Sequence, residues 1–129
     1  MHYQLPPFAQ SKLVRVVQGR VLDIVVDIRK GSPTFAKWVA IELSDENKRQ
    51  LFIPKGFAHG FIVSSKEAIF AYKVDNFYSK EHERGIVYND SDLNIEWQIE
   101  ESQILLLDKD TQLPYLKDAE LFLHSEDYL

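Results

Sequence analysis

The stretch KLVRVVQGRVLDIVVDI, residues 12–28, most tightly constrains what this chain can fold into. Two runs rich in β-branched residues, 12–17 and 21–28, flank QGR, a pattern that predicts a hairpin turning at Gly19. After the break at GSP (31–33), residues 34–43 alternate Phe35, Lys37 and Val39 against Ala36, Trp38 and Ala40, as a two-sided strand does. Residues 51–54, 59–63 and 68–75 read as three more strands, with turns at SDENKRQ, KGFA and SSKE. IVYND (86–90) and LNIEW (93–97) read as short edge segments. LPYLKDAELFL (113–123) spaces its apolar residues close to a helical period, with Pro114 suited to a first turn. Short strands with turn signals roughly every 8–12 residues predict an all-β antiparallel sandwich or barrel of jelly-roll type, closed by a short C-terminal helix.

At 129 residues the chain is expected to form a single domain, 1–129, with a real core. Its net charge is −5, and the 15 Lys and Arg residues are scattered, which argues against a nucleic-acid partner. The absence of cysteine excludes disulfides, thiolate nucleophiles and thiolate metal sites. Apolar runs such as VLDIVVDI and ILLL are far too short to span a bilayer, and MHYQLPPFAQ lacks the pattern of a signal peptide. The expectation is a soluble cytoplasmic protein with no membrane partner.

Few side chains here can move protons near neutral pH: four histidines, six tyrosines and the carboxylates. His124 lies in the polar tail, and His82 sits in the long charged loop NFYSKEHERG (76–85); both read as surface residues. His59 lies between two apolar segments in PKGFAHGF, where its ring needs a partner. It is either a hydrogen-bonded histidine inside a barrel or a functional group aimed into one. Pro54, Gly56 and His59 spell P-x-G-x-x-H, similar to the second motif of the cupin superfamily. Tyr72 in FAYKV is either a core tyrosine or a proton donor, since a phenol stays protonated at neutral pH. The upstream H-x-H-x(3–4)-E cluster of metal-binding cupins is absent, and His2 and His59 alone are too few nitrogen donors, so no metal site is expected. His2 stands at the second position, where chain ends tend to fray.

The run AQSKLVRVVQGRVLDIVVDIRKGSPTFAKWVAIELSDENKRQLFIPKGFAHGFIV, followed by AYKVDNFYSKEHERGIVYND, LNIEW and LLDKDTQLPYLKDA, resembles the dTDP-4-dehydrorhamnose 3,5-epimerase family. The likeness covers nearly all of residues 2–119. It implies a metal-free cupin, a double-stranded β-helix, that inverts C3 and C5 of dTDP-4-keto-6-deoxy-glucose without a cofactor, on the way to dTDP-L-rhamnose. HYQ resembles the end of the family's R-G-L-H-Y/F-Q motif, which makes His2 the general base. Asp110 matches the carboxylate that pairs with it, and Tyr72 matches the opposing acid. Lys12 would stand near the developing enolate oxygen, while His59, Glu83 and Lys109 match sugar-nucleotide contacts and Tyr78 a position beside the thymine. The family also implies a homodimer and a further segment before the histidine motif, including its arginine, so the chain reads as N-terminally shortened. Two other readings stay open at this point: a homologue that binds a sugar nucleotide or assembles without catalysis, and a metal-dependent cupin enzyme.

Overall fold

The computed structural model describes residues 1–125. Five strands form one antiparallel sheet: β1 (His2–Gln4), β3 (Arg20–Asp27), β5 (Trp38–Ser44), β7 (Phe57–Val63) and β9 (Glu83–Gly85), in the order β5-β3-β7-β1-β9. Three more form a second antiparallel sheet: β2 (Lys12–Gln18), β6 (Gln50–Ile53) and β8 (Ile69–Val74), in the order β6-β2-β8. A two-residue strand β4 (Arg29–Lys30) pairs in parallel with β10 (Phe122–Leu123).

The center of this arrangement is β3, which is buried from Val21 to Asp27. Successive side chains on a strand point to opposite faces. Val21 and Val25 therefore meet Val14, Val16, Leu43 and Ile53 between the two sheets. Leu22, Ile24 and Val26 point the other way, into a cluster with Ala58, Ile86, Leu93, Leu116 and Phe122. That outer cluster is covered by the segment after β9, so the larger sheet is apolar on both faces.

The predicted hairpin at Gly19 is a corner between sheets. β2 pairs with β6 and β8, whereas β3 pairs with β5 and β7. Gly19 has φ +89°, and a Cβ there would lie 2.2 Å from the Glu67 carbonyl oxygen. Its N–H donates to Asp45, and the next N–H donates to Ser65, so the corner is pinned to both neighbouring loops. A strand with two apolar faces needs a partner on each edge, and β3 finds both in the larger sheet.

Other expectations shift in the same way. The strand predicted over 34–43 begins only at Trp38. Residues before it turn around the buried Asp27, which accepts hydrogen bonds from Arg29, Ser32 and Thr34. IVYND and LNIEW form no strand. The C-terminal helix predicted over 113–123 is absent as such: a single 3-10 turn at Leu116–Asp118 is followed by β10. Its apolar residues serve the outer cluster from that turn and from β10, where Leu116 and Phe122 are buried and Tyr3 packs beside Phe122. The only α-helical turn among the described residues, α1 (Asp108–Thr111), lies earlier in the chain.

One carboxylate holds this cover together. Buried Asp90 accepts from the backbone N–H groups of Asp92 and Leu93 on one oxygen, and from that of Leu116 on the other. Replacing it leaves three backbone donors, two of them buried, short of a charged acceptor. Asp90→Ala is expected to lower unfolding free energy by about 2–4 kcal/mol, read from urea denaturation. A change under about 0.5 kcal/mol, the size of an ordinary surface substitution, would show that the carboxylate clamp carries nothing.

Candidate active site

The first strand enters the sheet rather than fraying. β1 runs antiparallel between β7 and β9, with His2 opposite both His59 and Gly85. Strand alternation then sends a defined set of side chains into the space between the sheets. His2 on β1, His59 and Phe61 on β7, and Asp23 on β3 face inward from the larger sheet. Lys12 on β2 shares the face of Val14, and Phe70 and Tyr72 on β8 face inward from the smaller one.

These residues surround two adjoining clefts. One, of about 380 Å³, is bounded by His2, Lys12, His59, Phe70, Tyr72 and Asp110, with Trp97 and residues 104–106 along one wall. The other, of about 320 Å³, shares His2, Lys12 and Tyr72 and extends past Gln4 and Gln10 to Tyr78 and Glu83.

His2 Nε2 donates to Asp110 Oδ1 across 2.9 Å. The carboxylate accepts there, so the neutral ring keeps its lone pair on Nδ1, which lies 3.8 Å from Glu83 Oε1. Burial lowers the His2 pKa, as does the chain's amino group, while Asp110 and Glu83 oppose the shift. The ring is therefore held neutral, and an orienting carboxylate fixes its tautomer.

A second pair lies deeper. His59 Nε2 donates to Asp23 Oδ2 at 2.8 Å, and both side chains are buried. Burial raises the Asp23 pKa against the hydrogen bond from His59. The other oxygen, Asp23 Oδ1, is buried with no hydrogen-bond partner. Lys12 is the cation facing this carboxylate: burial lowers its pKa, and the charges of Asp23 and Glu83 pull it back up.

Tyr72 stands on the opposite sheet from His2 and is 63% exposed, its hydroxyl open to the cleft. Glu83 Oε2 accepts from the Tyr78 hydroxyl at 2.8 Å, which places both at the far end of the second cleft. Lys109 is the residue the structure does not bring in: it is exposed on α1 and lines neither cleft. The structure thus gathers His2, Lys12, His59, Tyr72, Tyr78, Glu83 and Asp110 around one space.

Asp23 escaped the sequence reading, although an acidic residue inside VLDIVVDI was its visible signal. Phe61, Phe70 and Trp97 escaped it as well, since apolar residues in strands normally mark core. Among the described residues, no group of three or more His, Cys, Asp or Glu side chains is arranged to hold a metal ion. No helix among them is long and apolar enough to cross a membrane.

A neutral imidazole oriented by a carboxylate, with a phenol and an ammonium lining the same cleft, can move protons to and from a carbon acid. The family model for dTDP-4-dehydrorhamnose 3,5-epimerase matches residues 1–118. The chain is similar to a dTDP-4-dehydrorhamnose 3,5-epimerase of Shigella flexneri, at 58% identity over 95% of this chain and 67% of that one. A Pseudomonas aeruginosa protein of the same name is 52% identical over 95% of this chain and 66% of its own length. The fold superposes on a Legionella pneumophila dTDP-6-deoxy-D-glucose-3,5-epimerase solved with dTDP-4-keto-L-rhamnose, with a TM-score of 0.91 and 48% identity. That match covers 97% of this chain and 67% of the other. The chain therefore spans about two thirds of the length of these relatives.

The electrostatics give a direct test. In an NMR titration the His2 ring is expected to reach its midpoint below 6.5, the ordinary histidine value. Asp110→Asn removes a charge that favours the imidazolium, so the midpoint should move lower still. A midpoint above 6.5, or an upward move in the variant, would contradict the burial-dominated site.

Proposed function

The chain belongs to the dTDP-4-dehydrorhamnose 3,5-epimerase family, and from that premise we propose that it epimerises a dTDP-4-keto-6-deoxy sugar by proton abstraction and return beside the C4 ketone. The observation that carries this reading is the His2–Asp110 hydrogen bond at a cleft that Lys12 and Tyr72 also line. The base and acid candidates stand on opposite sheets, so each can address one face of a sugar ring lying between them.

In this reading His2 Nδ1 removes a proton from the carbon next to the ketone. The C–H electron pair moves into the C–C bond, and the carbonyl π pair moves onto O4 to give an enolate. Lys12 meets that developing negative charge; its ammonium counts more there than against the neutral ketone, which lowers the barrier. The enolate then collapses with its electron pair taking a proton from Tyr72 on the opposite face, which inverts the carbon. Proton exchange with solvent restores the imidazole and the phenol. Both C3 and C5 flank the ketone, so one set of groups can serve either carbon.

His59 binds the sugar from the floor of the cleft, held in place by Asp23, and Glu83 with Tyr78 engages the nucleotide-bearing side. Lys109 is matched to the nucleotide by the family pattern alone, since it lines neither cleft. The reaction so written uses no metal or cofactor. The same reading places the protein in dTDP-L-rhamnose supply for surface polysaccharide such as lipopolysaccharide, in the cytoplasm, as a homodimer.

Incubation with dTDP-4-keto-6-deoxy-glucose in deuterium oxide tests the chemistry. Deuterium is expected at C3, C5 or both, and His2→Ala or Tyr72→Phe should slow inversion roughly 100- to 10,000-fold. An intact fold with no exchange at either carbon would overturn the epimerase reading in favour of binding alone.

A further inference from the structure

The loop over 76–79 carries two large aromatic side chains that do little to hold it. Phe77 is 81% exposed and Tyr78 is 67% exposed, so neither ring sits in a core that would fix the backbone beneath it. Loops with so little buried surface open locally at small cost. Here polar side chains supply what packing does not. At one end Asn76 Nδ2 donates to the Pro7 and Ala9 carbonyls, and Gln10 donates to the Asn76 carbonyl. At the other, the Ser79 hydroxyl lies 2.8 Å from His82 Nδ1.

The middle of the loop is held by Gln4, a buried residue at the end of β1. Its Nε2 donates to the Phe77 carbonyl at 3.0 Å, and its Oε1 accepts from the Ser79 N–H at 2.9 Å. One amide therefore grips the backbone on either side of Tyr78. Nε2 also donates to the Phe8 carbonyl at 2.7 Å, which ties the same amide to the loop over 5–11. Two donated bonds and one accepted bond form a set that a primary amide offers and a carboxylate does not. A glutamate here would turn a carboxylate oxygen toward two carbonyls.

Gln4 also stands opposite Glu83 in the pairing of β1 with β9, and Glu83 accepts the Tyr78 hydroxyl. Tyr78 is thus set at both ends, its backbone by Gln4 and its hydroxyl by Glu83. Gln4 lies two residues from His2, on the same face of the strand. One short strand carries both the candidate base and the anchor of the neighbouring arm.

We propose that Gln4 is a positioning residue for nucleotide binding, which presents the Tyr78 ring ready-placed by holding the backbone of Phe77 and Ser79. This rests on the reading above, in which Tyr78 and Glu83 engage the nucleotide-bearing side. Without the amide the loop samples other conformations, and affinity falls by the fraction of molecules that keep Tyr78 in place. The groups that move protons are left as they are.

Calorimetric titration of the full chain with dTDP tests it, on Gln4→Met, Tyr78→Ala and the double variant. Methionine keeps the length of glutamine and removes its hydrogen-bonding amide. Tyr78→Ala is expected to weaken dTDP roughly fivefold or more, the least that a base stacked on an aromatic ring is worth. Gln4→Met should weaken it at least about threefold, and the double variant should match Tyr78→Ala within about twofold, because a residue acting through Tyr78 then has nothing to act on. Amide exchange at Ser79 should quicken in Gln4→Met, while the His2 titration midpoint stays where it is. Losses that multiply in the double variant, or a shifted His2 midpoint, would overturn the proposal, since Gln4 would then merely support β1. Should Gln4→Met fail to fold, the unsubstituted protein decides: its Ser79 amide must exchange at least about tenfold more slowly than in an unfolded chain before dTDP is added, and free exchange there overturns the proposal. A dTDP affinity weakened by Tyr78→Ala and untouched by Gln4→Met removes the role of Gln4 alone. An affinity untouched by Tyr78→Ala removes the nucleotide from this arm, and the role of Gln4 with it.

Discussion

The structure depends on one strand that has no solvent face. Because β3 is buried on both sides, it has to lie inside a sheet, with a second layer against each face. One layer is the smaller sheet, met through Val14, Val16 and Ile53. The other is the segment after β9, met through Ile86, Leu93 and Leu116. The corner at Gly19, the separation of β2 from β3 and the folding back of the C-terminal segment all follow from that requirement. So does the site, because the inward face of β3 also carries Asp23.

Much of this was legible in the sequence, and the boundary of legibility is physical. Strands over 12–17, 21–28, 51–54, 59–63 and 68–75 announced themselves through β-branched residues and turns, and they lie close to those bounds. What failed was partnership. Alternation tells a strand which residues share a face; it does not tell a strand which neighbour it pairs with, so the turn at Gly19 read as a hairpin. The helix over 113–123 failed for a related reason. Leu113, Leu116, Ala119 or Leu121, and Leu123 sit close to helical spacing, but Asp90 holds the Leu116 N–H and Phe122–Leu123 pairs with β4. Those tertiary bonds outweigh a weak local preference.

The site shows the same division. His2, Tyr72 and Asp110 were reached through a family pattern, and the fold brings them to one cleft from β1, β8 and α1, more than a hundred residues apart at the extremes. Asp23 was open to a purely physical reading. An acidic residue in a strand buried on both faces carries a desolvation cost of several kcal/mol unless a partner offsets it. His59 is that partner for one oxygen, and the second oxygen is left unpaired. Such a group is expensive for stability and is therefore a better indicator of function than any of the exposed charges.

Burial acts on the ionisable groups of the cleft in a coherent direction. It lowers His2 and Lys12 and raises Asp23, in each case favouring the uncharged form. For His2 in the proposed role of base that is an advantage, since a base must be neutral to accept a proton. For Lys12 it would be a liability, because electrostatic help to an enolate requires the ammonium. The carboxylates of Asp23 and Glu83 counter it by restoring part of the lost stabilisation of the cation. Asp23 thus serves two neighbours: it orients His59 and sustains the charge on Lys12. A substitution there would disturb the depth of the cleft and its electrostatics together. In the proposed reaction the buried aspartate would act through His59 and Lys12, the two neighbours it orients and sustains.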